Sequence, residues 1–288
     1  MNDILQVRTH LKEPARLTIH GRAEVAFDSR NGEPTRLLHL YHHDPLRFLF
    51  PQPGAGEPPM AVLVTTSGGL VGGDRLEVSA RVGDGAAAQV VAQAAEKVYR
   101  SAGPDVTMGV ELACGDGGWL EWLPQDTILF DRARLNRTTR IDVAGTGQVL
   151  AGELLVFGRI ARGERFTEGL AREAWEIRRD GRLLWADTLH LDGACAAVLD
   201  HPAGFAGAVA YGSIVYTAPD AAERLDEARA LLEGMGGHAG ATCVGGVLVV
   251  RFLDTDARRL REGYGRFWAG FRARVAGLPD RLPRLWVI

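Results

Sequence analysis

Apolar and polar residues alternate with a period of two through most of the chain, the signature of half-buried strands. From Leu17 to Phe27 the odd positions are apolar and most even ones polar. Leu76, Val78, Ala80 and Val82 alternate with Arg75, Glu77, Ser79 and Arg81; Val106, Met108, Val110 and Leu112 repeat the pattern. Turn signals separate such runs: Gly83-Asp84-Gly85, Gly115-Asp116-Gly117-Gly118, Gly145-Thr146-Gly147 and Asp180-Gly181. Glycine supplies the positive φ that tight reversals need. Asp180-Gly181, between Trp175-Glu176-Ile177 and Leu183-Leu184-Trp185, predicts a two-residue hairpin. These features predict a mainly β fold of many short antiparallel strands, built as a sandwich, an open barrel or a solenoid.

The C-terminal third changes period. Asp220 is placed to cap a helix carrying Ala221, Leu225, Ala228, Leu231 and Leu232 at helical spacing, with Glu223 completing a capping-box-like pattern and Gly234, Gly236 and Gly237 stopping it. A second helix is predicted from Asp256 to Ala276, with Leu260, Tyr264, Phe267, Trp268 and Phe271 on one side and arginines on the other. Between the helices, Thr242 to Leu253 reads as a buried strand. The segment from Pro51 to Pro59 is the one loose loop, and no low-complexity linker divides the chain. It reads as a single domain over residues 1–288, β first, with two late helices.

Composition narrows the chemistry. A net charge of -3 provides no overall cationic field for nucleic acid. The only lysines are Lys12 and Lys97, and neither follows a glycine as a P-loop lysine does, so nucleotide hydrolysis by that route is excluded. Cys114, Cys195 and Cys243 are far apart and show no C-x-x-C, which argues against a disulfide framework or a zinc knuckle. The start, Met1 to Arg8, has no apolar core of a signal peptide, and the longest apolar run, around Val244 to Val250, is too short to span a bilayer. A reduced cytoplasmic setting with no membrane partner is expected.

Candidate sites are sparse. The loop Thr65 to Asp74 is glycine-rich and follows the apolar strand Ala61-Val62-Leu63-Val64. A carboxylate at Asp74 would repel phosphate, and no helix follows, so a sharp reversal with Asp74 bonded to its amides is the preferred reading. In Ala92 to Arg100, Lys97 and Arg100 form either a charged lip or an exposed strand end. Glu121, Asp131, Glu153 and Glu164 flank apolar strands; spacing favours an outward position, and an inward one would require partners or water. His42-His43-Asp44 is the only histidine cluster, and neighbouring strand residues point to opposite faces. His190, His201 and His238 have no carboxylate at ligand spacing, and no metal site is firmly assigned. Neither G-x-S-x-G nor H-E-x-x-H occurs.

Four motifs in order carry a resemblance: SGGLVGGD at Ser67–Asp74, QAAEKVYR at Gln93–Arg100, LPQDTILFD at Leu123–Asp131 and FGRIARGE at Phe157–Glu164. With the ending Pro283-Arg284-Leu285-Trp286, they make the chain similar, from about Leu17 onward, to the urease accessory protein D family, also called H. Ser67, Gly68, Gly69, Gly72, Gly73, Asp74, Gln93, Lys97, Tyr99, Arg100, Gly158, Arg159, Gly163 and Glu164 are the positions that match. Glu96 departs from the pattern, where a small polar residue such as threonine is expected, and Gln125-Asp126 also varies.

The resemblance implies a non-enzymatic chaperone of nickel insertion, with a β-rich right-handed helical architecture and a pair of helices. It implies contacts with apo-urease and with a helical accessory protein F, which recruits the nickel-carrying GTPase accessory protein G. It also implies a water-filled passage for transient nickel(II), with no tightly bound cofactor. Glu121, Asp131, Glu153 and Glu164 are then expected to line the passage. Arg266, Phe267, Trp268, Phe271 and Arg272, within Arg258 to Arg274, are expected either to dock a partner or to pack on the sheet. The rival reading is a stand-alone β-rich ligand-binding module or hydrolase with a platform of Trp119, Trp122, Trp175 and Trp185.

Overall fold

A computed structural model describes residues 18–29 and 33–286; Leu17, Lys12 and the Met1 to Arg8 segment lie outside them. The strands are β1 (His20–Asp28), β2 (Arg36–His43), β3 (Leu46–Leu49), β4 (Met60–Thr65), β5 (Arg75–Val82), β6 (Ala87–Ala92), β7 (Glu96–Val98), β8 (Val106–Cys114) and β9 (Trp119–Leu123). They continue with β10 (Thr127–Leu129), β11 (Arg134–Val143), β12 (Gln148–Phe157), β13 (Glu168–Arg179), β14 (Arg182–Ala194), β15 (Ala210–Thr217), β16 (His238–Val244) and β17 (Val247–Asp254). The helices are α1 (Ala196–Asp200), α2 (Leu225–Leu232) and α3 (Ala257–Ala276).

The fold is mainly β, as expected, with successive coils stacked in a solenoid-like arrangement. A 7-stranded sheet runs β14-β13-β11-β8-β5-β1-β2. A 10-stranded sheet runs β16-β17-β15-β12-β9-β6-β4-β3, with β10 beside β12 and β7 beside β10. The chain alternates between the two, β4 to β5 to β6, then β8 to β9, β11 to β12 and on to β13. Neighbours within each sheet therefore come from successive coils and run parallel: β1, β5, β8, β11 and β13 in one, β4, β6, β9 and β12 in the other. This corrects the antiparallel expectation for the sheet interiors; antiparallel pairs are confined to the flanks, including the expected β13–β14 hairpin at Asp180-Gly181. The glycine turns after β5, β8 and β11 are corners between sheets, because each delivers the chain to the opposite layer.

Two cores share the ten-stranded sheet. Between the sheets lie Val25, Val78, Val90, Val110, Trp122, Leu155 and Trp175, among others. Between the ten-stranded sheet and α3 lie Leu150, Leu154, Ile214, Tyr264, Phe267, Trp268 and Phe271. Every residue of β9 is buried for that reason. Trp119, Trp122 and Trp175 are core residues and Trp185 is half-buried, so the tryptophan platform is not formed.

The helical boundaries differ in detail. Asp256 caps α3 as expected, accepting hydrogen bonds from the amides of Arg258 and Arg259. α2 starts only at Leu225, because the Asp220 side chain is engaged by the Tyr216 hydroxyl (3.1 Å) and Arg224 Nε (2.6 Å) instead of capping. The single strand expected over Thr242 to Leu253 is the β16–β17 hairpin, turned by Gly245 and Gly246 at φ 60° and 82°. The Pro51 to Pro59 loop is tethered, since Glu57 receives Arg272 Nη2 at 2.6 Å and Arg281 Nε at 3.1 Å. Among the described residues, no helix is long and apolar enough to cross a membrane.

Candidate functional site

The motif loops meet around a cavity of about 200 Å³ that reaches between the two sheets. Its rim is the exposed Gly68, Gln93, Ala94 and Lys97; its interior includes Ser67, Glu96, Trp122, Thr127, Arg137 and Glu153. The glycine-rich loop closes against β7 through Leu70 N to Lys97 O at 2.7 Å and Tyr99 N to Leu70 O at 2.8 Å. Gly69, at φ 146°, must be glycine: a Cβ there would stand 2.7 Å from the Tyr99 ring and 2.9 Å from Lys97 O. Asp74 is buried and accepts from the amides of Val71 at 2.9 Å and Ile19 at 3.1 Å, so its carboxylate occupies the amides a phosphate would need.

The floor is an ionic cluster spanning the sheets. Arg137 on β11 is paired in register with Glu173 on β13. Its Nε donates to Glu173 Oε2 at 2.7 Å, its Nη1 donates to Thr127 Oγ1 at 3.0 Å, and the same nitrogen lies 2.9 Å from Glu153 Oε2 on β12. The other Glu153 oxygen accepts the Trp122 indole N–H at 3.0 Å. Burial pushes the Glu153 carboxyl up to about 7, against the stabilising charge of Arg137. Burial likewise raises the Glu173 and Glu96 carboxyls. The Arg137 guanidinium is opposed by burial too, but Glu153 and Glu173 outweigh it and hold it charged. Glu96, the departure from the family pattern, accepts Thr65 Oγ1 at 2.7 Å and Lys97 N at 3.2 Å. Ser67 Oγ is buried with no hydrogen-bond partner among the described residues. The chamber therefore gathers carboxylate and hydroxyl oxygens beside the Arg137 and Lys97 cations, with the Glu153 and Glu96 oxygens engaged by Arg137, Trp122, Thr65 and the Lys97 amide.

The sequence-marked acids separate into three places. Only Glu153 lines the cavity. Glu121 is sealed on the helical side of the sheet, where Gln89 Nε2 (2.9 Å), Trp268 Nε1 (2.9 Å), Trp119 Nε1 (3.0 Å) and Arg272 Nη2 (2.9 Å) surround it. Both are fully buried, against the outward position that spacing favoured, because their strands are covered on both faces. Asp131 and Glu164 join the outer loops: Asp131 accepts the amide and hydroxyl of Thr167, each at 2.8 Å, and its own amide donates to Glu164 at 3.0 Å. Burial works against the Asp131 carboxylate, but the Thr167 donors outweigh it and lower its pKa; Arg159 lowers that of Glu164.

The helical residues are also redistributed. Phe267, Trp268, Phe271 and Arg272 are completely buried and cannot present a docking surface, while Arg266 is exposed. Arg272 breaks the expected arginine-outward face of α3 because Glu121 and Glu57 bind it from beneath. His43 Nδ1 faces the His20 carbonyl at 3.0 Å and Asp44 pairs with Arg47 at 3.0 Å. Among the described residues, no three His, Cys, Asp or Glu side chains are grouped to hold a metal ion. Arg137, Glu173 and Thr127 are cluster members that sequence reading missed.

Residues 20–287 match the family described as UreD urease accessory protein. The chain is 45% identical over 275 residues to the urease accessory protein UreD of Magnetococcus marinus, covering 94% of each. It is 43% identical over 278 residues to that of a Methylobacterium species, covering 95% of this chain and 96% of the relative. The corresponding protein of Azorhizobium caulinodans is 36% identical over 275 residues, covering 96% of this chain and 98% of the relative.

Proposed function

The chain belongs to the UreD urease accessory protein family, and from that premise we propose that it is a non-catalytic scaffold that passes nickel(II) towards apo-urease through the chamber between its sheets. The observation that carries this reading is the cavity of about 200 Å³ lined by Glu96, Glu153 and the unpartnered hydroxyl of Ser67. Nickel is cargo here, so its ligands must release it. Carboxylates, hydroxyls and water hold a divalent cation less firmly than a closed set of imidazoles or thiolates. Arg137 limits the negative charge of the chamber without closing it, being spent on Glu153, Glu173 and Thr127.

In this reading the accessory F protein contacts the outer face of α3. Arg266 is exposed there beside an open groove of about 1000 Å³ walled by Leu231, Leu282 and Trp286. The F protein in turn brings the GTPase G, which supplies the nucleotide chemistry that this chain does not.

The test is urease activation in a nickel-supplied host that carries the full accessory set and lacks only this gene. Restoring the gene is expected to restore activity. The Glu96→Gln/Glu153→Gln pair is expected to lower nickel loading about tenfold while apo-urease and the F protein still bind, since two oxygens lose their charge without loss of volume. Full activation without the gene would end the maturation role; full loading by the double variant would end the passage.

A further inference from the structure

We infer that Arg261 is a positioning residue for the chamber: it ties the chamber wall to the wall of the helical groove, so that a protein seated in the groove changes how the chamber holds nickel(II). This rests on the chamber being the passage and on the F protein occupying the groove. The segment between β9 and β10 is shared by the two sites. Gln125 and Thr127 line the chamber, while Arg261 and Trp286 line the groove on the helical side of the ten-stranded sheet. The helical layer holds this segment residue by residue. The Trp286 indole donates to Leu123 O at 3.4 Å, Gln125 Nε2 donates to Leu285 O at 2.8 Å, and the Arg261 guanidinium donates to Gln125 Oε1 and Asp126 Oδ1. Arg261 Nη2 also reaches Trp286 O at 3.0 Å, and its guanidinium lies 4.1 Å over the Trp286 ring.

Two connections run from the groove wall to the chamber acids. Asp126 O accepts the Glu96 amide at 2.8 Å, and Thr127 is paired with Glu96 in register. Thr127 Oγ1 also accepts Arg137 Nη1 at 3.0 Å, so one arginine holds the segment from between the sheets and another from the helical layer. Trp286 makes the second connection. It stacks on Tyr264 at 5.7 Å with the ring planes 10° apart, and the Tyr264 hydroxyl fills the space that a side chain on Gly152 would take. Gly152 immediately precedes Glu153. The groove wall thus bears on the backbone that carries each acid. The Arg261 side chain keeps 22% of its surface in solvent, where water competes for its donors. A protein covering the groove removes that water, and charge-assisted hydrogen bonds strengthen as the local dielectric falls. The segment is then held in place before nickel arrives, and each ligand favours the other.

The experiment follows amide hydrogen exchange in the purified full chain, free and with the F protein at saturation, and titrates nickel(II) in both states. The F protein is expected to protect the groove around Trp286 and to slow exchange of the Glu96 amide and of Gln125 to Thr127 about fivefold, with nickel(II) affinity rising by a similar factor. Arg261→Ala is expected to abolish the gains at Glu96 and in nickel affinity while protection of the groove remains. Arg261→Lys keeps the charge without the planar fork and should retain part of both gains, which separates positioning from folding. Arg258→Ala is the control, because Arg258 lines the same groove but its side chain pairs with Glu262 at 2.9 Å, away from the segment; both gains should survive it. Groove protection with no change at Glu96, or equal gains in Arg261→Ala, overturns the inference. No protection at the groove ends the docking reading, and the inference with it. The passage reading fails separately, through full nickel loading by Glu96→Gln/Glu153→Gln with the exchange gain intact.

Discussion

At the chamber floor one guanidinium faces the carboxylates of Glu153 and Glu173, with Glu96 near enough to add its field, so the cluster favours taking up a proton. Burial pushes Glu153 up to about 7, whereas an unfolded glutamate titrates near about 4.3. Between these values the folded protein binds more protons than the unfolded chain, and its stability therefore falls as pH rises. The unfolding free energy is expected to decline by up to about 1.4 kcal/mol per pH unit across that window and to level off above it. Glu153→Gln keeps an oxygen for the Trp122 indole and should flatten the slope. Urea unfolding at a series of pH values checks this; an unaltered slope would put the proton on Glu173 or Glu96. The sequence does contain a signal for part of this cluster. Arg137 is in phase with Leu135 and Ile141, and Glu173 with Trp175 and Ile177, so each is a charge on the buried side of an alternating strand. Glu121 and Glu153 carry no such signal. β9 is buried along its whole length and β12 along nearly all of it, and two-sided burial erases the polar phase that would mark an inward charge.

Strands alternate with the same period whether their neighbours run parallel or antiparallel, and a glycine turn serves a corner as well as a hairpin. That is why the elements were legible and their pairing was not. The corners reveal their role only when stacked. Asp84 Oδ1 accepts the Asp116 amide of the next coil at 2.9 Å, and Asp116 Oδ1 accepts the Thr146 amide at 2.7 Å. Asp180 Oδ1 continues the series by accepting the Gly145 amide at 2.9 Å. Backbones approach closely along this edge: a Cβ on Gly147 would stand 2.4 Å from Gly115 O. Neither carbonyl nor turn can withdraw without breaking the stack. Gly147→Ala is therefore expected to cost about 1–3 kcal/mol, the usual range for overpacking. Gly240→Ala on β16, where a Cβ would meet nothing within 4 Å, is the control and should stay within about 0.5 kcal/mol of the parent. Denaturant midpoints compare the two; equal effects would show that the corners tolerate displacement.

A solenoid of stacked coils stands on nearest-neighbour contacts and can melt in sections. This molecule adds a second layer that crosses the coils. α3 packs on β12, β15 and β17, and its Arg272 reaches through to Glu121 on β9 and to Glu57 in the loop before β4. The sequence showed α3 and its cap, because helical spacing and Asp256 are local features. It did not show Arg272 turned inward, since its partners lie far away in the chain, Glu121 being 151 positions off. Because one sheet serves both cores, the layers should unfold together. Arg272→Ala leaves Glu121 buried without its cation and is expected to cost about 3–5 kcal/mol. The loss should appear equally in both cores. With Trp119, Trp268 and Trp286 of the helical core each replaced by Phe, Trp122 and Trp175, together with Trp185 packed against their core, report by fluorescence on the space between the sheets. In that background, Arg272→Ala should lower the fluorescence midpoint by the same amount as the far-ultraviolet dichroism midpoint. A helical transition that moves while the inter-sheet fluorescence stays in place would make α3 an appendage, and the ionic bridge beneath it a local clasp.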